Sequence, residues 1–343
     1  MKLLTLGLAL TLCGAGASVR PDAVSLEFAP ADGTEVSLVF ERVFTLELDE
    51  TEIEVELDGE SVGDQESPEV AYEMSETESI AFTDSFEVAD GRVVGIRRAF
   101  ETIGTLYIET VTDPTGEEFS DEDQGESELE GSVVLFRWDE DEESYGASFG
   151  EESEDLDAEL LEGLDAEANM AGFLPGSEVE VEVGDAWDVD VAAFVSMINL
   201  SGSLKVLQDG EEESADDSDY GKQFDDNITG EIEATLAEIR EEDGVRLAVI
   251  KVESDLSTTI TTTTEVDEGD ATGTELDEQT FEFELAGEIV WNLGAGHLSS
   301  LAMEGDLTLE MHSVKAYSMQ DHDLKMTENQ SLSGGLTFAI EVD

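Results

Sequence analysis

Apolar side chains fall at every second position over long stretches of this sequence, and that spacing belongs to β-strands. Val36, Leu38, Phe40, Phe44, Leu46 and Leu48 share even parity, with polar residues mostly between them. Alternate side chains of a strand point to opposite faces, so this run has one buried face and one wet face. Arg42 intrudes on the apolar parity. After Asp49-Glu50 the parity reverses: Ile53, Val55 and Leu57 are apolar, and Glu52, Glu54, Glu56 and Asp58 alternate with them. One residue of slip exchanges the faces of a strand, so the spacing predicts a turn near residue 50.

The same period recurs. Arg92–Phe100 and Thr105–Thr112 read as strands around Ile103-Gly104, and Ser132–Trp138 with Tyr145–Phe149 as a hairpin over the acidic tip 139–143. Ile228–Ile239 and Val245–Leu256 pair across Glu241-Glu242-Asp243-Gly244, a turn signal. Val245–Leu256 is apolar on both faces, as a central strand requires. Phe281, Phe283, Leu285, Ile289, Trp291 and Leu293 share one parity. After Gly294-Ala295-Gly296, Leu301, Met303, Leu307, Leu309 and Met311 share the same odd parity, and Leu336, Phe338, Ile340 and Val342 close the chain on one face. The threonine-rich run 258–264 suits an exposed strand.

Helical spacing is confined to the middle. Leu156, Leu160, Leu161 and Leu164, a cap at Ser153, acids at Glu154-Asp155, and Gly172 and Pro175 beyond the end predict a helix over about 154–170. A weaker helical stretch covers 189–198. Segments 113–130, 209–219 and 265–279 are dense in acid and read as solvated loops. The expected organisation is a leader (1–17), an N-terminal β-rich part (18–150), a helix and connector (151–175) and a C-terminal β-rich part (176–343). The two β-rich parts are separate or one continuous domain.

Charge limits the partners. The chain has 88 Asp+Glu against 14 Lys+Arg, a formal net charge of −74, yet 40% of its residues are hydrophobic. That charge repels nucleic acid and anionic lipid. The regular apolar spacing argues against disorder. Carboxylates are spread over the whole chain, which fits a protein adapted to high salt, where like charges hardly repel. A surface that collects divalent cations is the competing reading.

Lys2, the apolar run Leu3 to Leu12 and the small residues Ala15-Gly16-Ala17 form a secretory signal, too short for a membrane-spanning helix. Leu10-Thr11-Leu12-Cys13 offers a lipid anchor at Cys13, although bulky Leu12 stands where such a box wants a small residue. Cys13 is the only cysteine, so cleavage after Ala17 leaves a chain without thiol chemistry. The expected location is secreted, periplasmic or cell envelope.

Few motifs carry chemistry. Gly146-Ala147-Ser148-Phe149-Gly150 matches Gly-x-Ser-x-Gly, making Ser148 the candidate nucleophile of an alternative serine-hydrolase reading. The nucleophile elbow needs an apolar strand before the serine and a helix starting at it, whereas Asp139–Ser144 is acidic and turn-like. His297, His312 and His322 lack metal-ligand spacing and read as surface residues. Asp216, Asp217, Asp219, Asp225 and Asp226 are candidate metal ligands, but Tyr220 and Asn227 break the EF-hand pattern; Ser120–Gly131 fails at Gly131. Trp138, Trp187 and Trp291 read as core. Trp187, Trp291, Phe281 and Phe283 are the candidates to line a ligand cavity. No cofactor is expected.

Leu174-Pro175 and Val181-Glu182-Val183-Gly184-Asp185-Ala186-Trp187 resemble an element of uncharacterised exported bacterial proteins with large curved antiparallel sheets. Gly287-Glu288-Ile289-Val290-Trp291 and Gly296-His297-Leu298 are similar to the glycine-turn hairpins of those proteins. Some of them are similar in outline to lipoprotein-carrier half-barrels. The resemblance implies a carrier role and no catalytic residues.

The resulting expectation is a mainly β protein with a large curved antiparallel sheet or half-barrel and one central helix. Its expected role is non-enzymatic binding of an apolar small molecule, a lipid or a protein partner. A structural or calcium-associating surface protein is a further alternative. A membrane β-barrel fits the alternation but not the acidic segments, the central helix or the Val342-Asp343 ending. Salt adaptation predicts that circular dichroism shows weaker folding at low NaCl. KCl should restore folding as NaCl does, and low-millimolar CaCl₂ should not; rescue by micromolar Ca²⁺ would point to a specific site instead.

Overall fold

The computed structural model describes residues 23–65, 70–167, 169–176, 179–208, 215–268, 271–319 and 322–343. The expected leader with Cys13 lies outside the described residues, as do 209–214 of the second acidic segment. The first strands are β1 (Val24–Ser25), β2 (Glu35–Leu57), β3 (Glu60–Gln65), β4 (Ala71–Ala89), β5 (Arg92–Thr112), β6 (Glu118–Glu126), β7 (Val133–Asp139) and β8 (Ser144–Phe149). An irregular segment leads to β9 (Glu180–Val181), β10 (Ala186–Asp188), helix α1 (Val191–Ile198), β11 (Leu207–Gln208) and helix α2 (Ala215–Asn227). Long strands finish the chain: β12 (Thr229–Glu242), β13 (Val245–Glu268), β14 (Ala271–Asn292), β15 (His297–Met319) and β16 (His322–Val342).

The expected mainly β class is what the chain adopts. Among the described residues one antiparallel sheet of 14 strands runs in the order β10-β12-β13-β14-β15-β16-β2-β4-β5-β6-β11, with β3 on β2, β7 on β5 and β8 on β7. β16 pairs with β2, so the last strand joins the N-terminal strands to the C-terminal ones. The end strands β10 and β11 do not pair with each other, so the sheet stays open. One inner face carries the core: Leu38, Phe40 and Leu46 of β2, Ile80 and Phe82 of β4, Leu285 and Ile289 of β14, and Phe338 and Ile340 of β16 are all buried. Gly305 and Gly334 allow close strand packing. A Cβ on Gly305 would lie 1.9 Å from the Glu284 carbonyl oxygen, and one on Gly334 would lie 1.8 Å from that of Thr45.

Several expectations change in detail. The parity switch at residue 50 is a β-bulge inside one continuous strand and not a turn. Leu48 pairs with Leu332 and Glu50 with Ser331, which leaves Asp49 as the extra residue. The break expected near Ile103 is likewise a bulge at Glu101 within β5. Half of the acidic segment 113–130 and most of 265–279 are strand: β6 gives the second half of β5 a ladder partner, and β13 and β14 continue past residue 265 to a hairpin. Backbone pairing outweighs charge there because the carboxylates sit on a wet face or beside an edge.

The helix expected over 154–170 does not form. Residues 151–153 and 158–161 make short 3₁₀ turns. Ser153, the expected cap, accepts a hydrogen bond at its Oγ from Val133 N of β7 at 2.9 Å. Leu164 bridges to Gly202, and Asp165 N donates to the Ser201 carbonyl at 2.7 Å. These distant partners take the backbone groups that an α-helix would have used internally. The leucine spacing serves an irregular segment packed on the sheet, with Leu160 buried and Leu156, Leu161 and Leu164 half-buried. The weaker helical signal at 189–198 is realised as α1, capped by Asp190, whose carboxylate accepts from Ala192 N at 2.9 Å.

Arg98 ties this irregular segment to the sheet. It is fully buried and lies opposite Asp84 across β5 and β4. Its Nε and one terminal nitrogen donate to the two Asp84 oxygens at 2.9 and 2.8 Å. The remaining hydrogens go to the Asp165 carbonyl (2.9 Å), the Ala166 carbonyl (3.0 Å) and Ser201 Oγ (2.8 Å). The guanidinium also lies 4.2 Å from the Phe82 ring centroid. Removing one partner of a buried pair leaves an unpaired charge. Arg98→Met should therefore lower the unfolding free energy by about 3–5 kcal/mol in urea denaturation. Arg97→Met, at an exposed pair with Glu152, should stay within about 0.5 kcal/mol of wild type.

Candidate functional site

β2 has 23 residues and could extend about 75 Å. α1 has 8 residues and spans about 12 Å. The helix therefore covers only part of the inner face. Phe194 of α1 fills that part, packing on Phe283 (ring centroids 5.7 Å apart) and Phe338 (6.1 Å). Beyond α1 the face borders a cavity of about 1540 Å³. Phe44, Leu46 and Leu48 of β2, Phe281 and Phe283 of β14, and Leu309 and Met311 of β15 line it. These residues share the inner face because the strand period places them there.

α2 covers one side of the cavity. Phe224 meets Phe281 and Phe283 edge-on at 5.6 and 6.0 Å. Its backbone carbonyl accepts from Thr258 Oγ1 at 3.0 Å, and Asn227 Nδ2 donates to the Thr259 carbonyl at 3.0 Å. The sheet itself divides near the cavity. β4 pairs with β2 up to Glu47, and β3 pairs from Ile53 onward. Leu48, Asp49, Glu50 and Thr51 line the cavity at that gap, where Asp49 and Glu50 are exposed.

A polar group stands at the α1 end. Arg42 donates to Glu76 Oε1 at 2.9 Å and to the Ile198 carbonyl, near the C-terminus of α1, at 3.5 Å. Glu78 Oε2 lies 3.3 Å from the same guanidinium without hydrogen-bond geometry, and Arg42 Nε is buried with no partner among the described residues. Burial pushes the Glu78 carboxyl above the usual range; Arg42 opposes that shift, and Glu76 adds to it. Asn199 Nδ2 donates to both oxygens of Asp225 at 3.1 Å. Burial raises Asp225 too, against that hydrogen bond.

The sequence candidates meet different fates. Phe281 and Phe283 line the cavity. Trp291 is buried in the core, and Trp187 donates from Nε1 to the Phe173 carbonyl at 3.0 Å. Trp138 packs on Tyr145 and Arg92. Ser148 lies on the exposed face of β8 and not at a strand-to-helix turn, with Oγ 3.5 Å from the Leu135 carbonyl. Asp216, Asp217, Asp219, Asp225 and Asp226 lie on helix α2 and not in a calcium loop, because the segment forms its own backbone ladder. Asp225 and Asp226 reach the cavity lining. Ser120–Gly131 spans most of β6 and the turn after it. His297 Nδ1 lies 2.6 Å from the Leu298 carbonyl, His312 pairs with Asn329, and His322 pairs with Asp58 in an exposed contact. No group of three or more potential metal ligands occurs among the described residues. Sequence reading missed Asn199, Phe224 and Glu76; the one signal was Arg42 on the apolar parity.

No protein-family model and no curated protein sequence matches the chain. A solved outer membrane channel from Pseudomonas putida F1 is similar at 7% identity, over 92% of this chain and 98% of that chain, with a TM-score of 0.17. Overlap of that quality carries no argument about fold or function. Among the described residues, no helix is long and apolar enough to cross a membrane.

Glu78 gives the site a pH signature. A carboxyl raised by folding holds its proton more tightly in the folded state. Its charging penalty is absent below the ordinary value of 4.5 and complete above the raised one. Glu78→Gln should match wild type in acid and become relatively more stable as pH rises from that range toward neutrality. Thermal unfolding of both proteins across this pH range checks it, and a constant difference would contradict it.

Proposed function

We propose that this chain is an exported, non-enzymatic carrier that holds an apolar or amphipathic small molecule in the cavity between the inner sheet face and α2. The observation that carries the reading is the cavity itself. Its volume of about 1540 Å³ exceeds the roughly 300–1,000 Å³ of an ordinary small-molecule pocket. Aromatic and aliphatic side chains from four neighbouring strands, β14, β15, β16 and β2, form its wall. Water gains little from such a wall, whereas each methylene moved onto it contributes about 0.8 kcal/mol. Polar groups gather at one end and at the gap beside β3, an arrangement that suits a molecule with a long apolar part and a polar end.

The leader-like segment 1–17 supports export, and an envelope or extracellular location suits a carrier of poorly soluble molecules. Ser148 on an exposed strand face favours binding over hydrolysis.

The test uses the neutral dye Nile red. Wild type should bind it with a blue-shifted emission, and an organic extract of the purified protein should contain an amphiphile. Met311→Trp places an indole into the cavity from β15 and should weaken dye binding about tenfold while leaving the thermal midpoint close to wild type. Absence of dye binding and of any extractable ligand would remove the carrier reading. Unchanged binding in the variant would remove the cavity as its site.

A further inference from the structure

We infer that the cavity's occupant is an amphiphile with a cationic head group, held by Asp225 at the α1 end. This inference rests on the carrier reading and adds the class of ligand to it.

The argument is one of charge complementarity. The half-buried charges of the lining are Arg42, Glu76 and Asp225. Arg42 keeps its Nε without a partner among the described residues, but its charge is already met: Glu76 accepts from it at 2.9 Å, Glu78 lies at 3.3 Å, and the Ile198 carbonyl at 3.5 Å. That carbonyl belongs to the negative end of α1. The guanidinium therefore has no net positive field to offer an incoming anion. Asp225 is held by a neutral donor, the Asn199 amide, so its charge is oriented but not cancelled. Asp49, Glu50 and Asp226 add negative charge on the exposed part of the lining, against one cation there, Lys222.

The cavity thus joins a long apolar wall to a surplus of carboxylates. Water is a poor screen beside an apolar wall, so that surplus counts for more than it would on the open surface. An ammonium brings the positive charge that Asp225, held by the neutral Asn199 amide, lacks. Its alkyl chain would run along Phe281, Leu309 and Met311. A fatty-acid carboxylate would face the same wall with repelling charge at its head.

Three probes that share a dodecyl tail separate these possibilities: dodecylammonium, dodecyl maltoside and dodecanoate, each displacing Nile red below its micelle threshold. Molar NaCl suppresses the general field of a −74 chain and leaves short-range contacts. Dodecylammonium should bind about tenfold more tightly than dodecyl maltoside, with dodecanoate weakest. Asp225→Asn should reduce the ammonium preference about fivefold and leave maltoside binding unchanged, whereas Glu233→Gln, on the exposed face of β12 and away from the cavity, should change neither. Equal binding of all three probes, or tighter binding of dodecanoate, would overturn the head-group assignment and leave the carrier reading standing. Failure of every probe to bind would overturn both. The wild-type series decides the question even if Asp225→Asn does not fold.

Discussion

Arg98 uses all five of its hydrogen-bond donors at a site without solvent exposure. An open sheet with one apolar face is incomplete until something covers that face. Here the cover is the irregular segment between β8 and α1, and it lacks the long helix that would have held it together. Its backbone carbonyls at Asp165 and Ala166 are instead anchored to a cation fixed on the sheet. Asp84 balances that cation's charge and holds it in place. The segment 163–165 then pairs with 201–203, where Ser201 and Gly202 both adopt positive φ. A side chain at Gly202 would strike the Gly163 carbonyl at 2.2 Å. Cover, anchor and turn form one unit, which sets how far the filled part of the inner face extends and where the cavity begins.

The outer face follows a different rule. Several carboxylates stand directly opposite one another across the ladder, as at Glu233 and Glu253 or Glu284 and Asp306, all exposed. Like charges in that position oppose pairing. The apolar inner parity of the same strands drives pairing. Ile232, Val252, Leu285 and Leu307 are all buried beside these acids. The sheet tolerates its coat because burial on one face outweighs repulsion on the other, and dissolved salt weakens only the repulsion.

Much of the strand content was legible because a period of two needs no tertiary information. Val36 to Leu48, Phe281 to Trp291 and Leu301 to Leu309 announce their buried side directly. The failures share one cause. Residues 113–130 and 265–279 read as loops because charge density was weighed without knowing that a neighbouring strand needed a ladder partner. The leucines from 156 to 164 read as a helix because spacing cannot reveal that Gly202 and Ser201 would take the local backbone bonds. Of the cavity, Phe281 and Phe283 were visible as apolar strand residues, and Arg42 as an anomaly. Asn199 and Phe224 were not, since each matters only through a partner far along the chain: Asn199 meets Asp225, and Phe224 meets Phe281.

By itself the sequence determined that this chain makes long strands with one apolar and one acidic face, because side-chain alternation is a local property of extended backbone. The tertiary structure decided that Asp49 is a bulge and not a turn, that Arg98 is the anchor of the cover, and that the cover stops short of the far end of the face. Those outcomes depend on which distant backbone groups meet, and no local periodicity encodes that. The cavity with its surplus of carboxylates is a consequence of the shortfall: apolar parity supplied its wall, and the reach of α1 and the placing of α2 supplied its bounds.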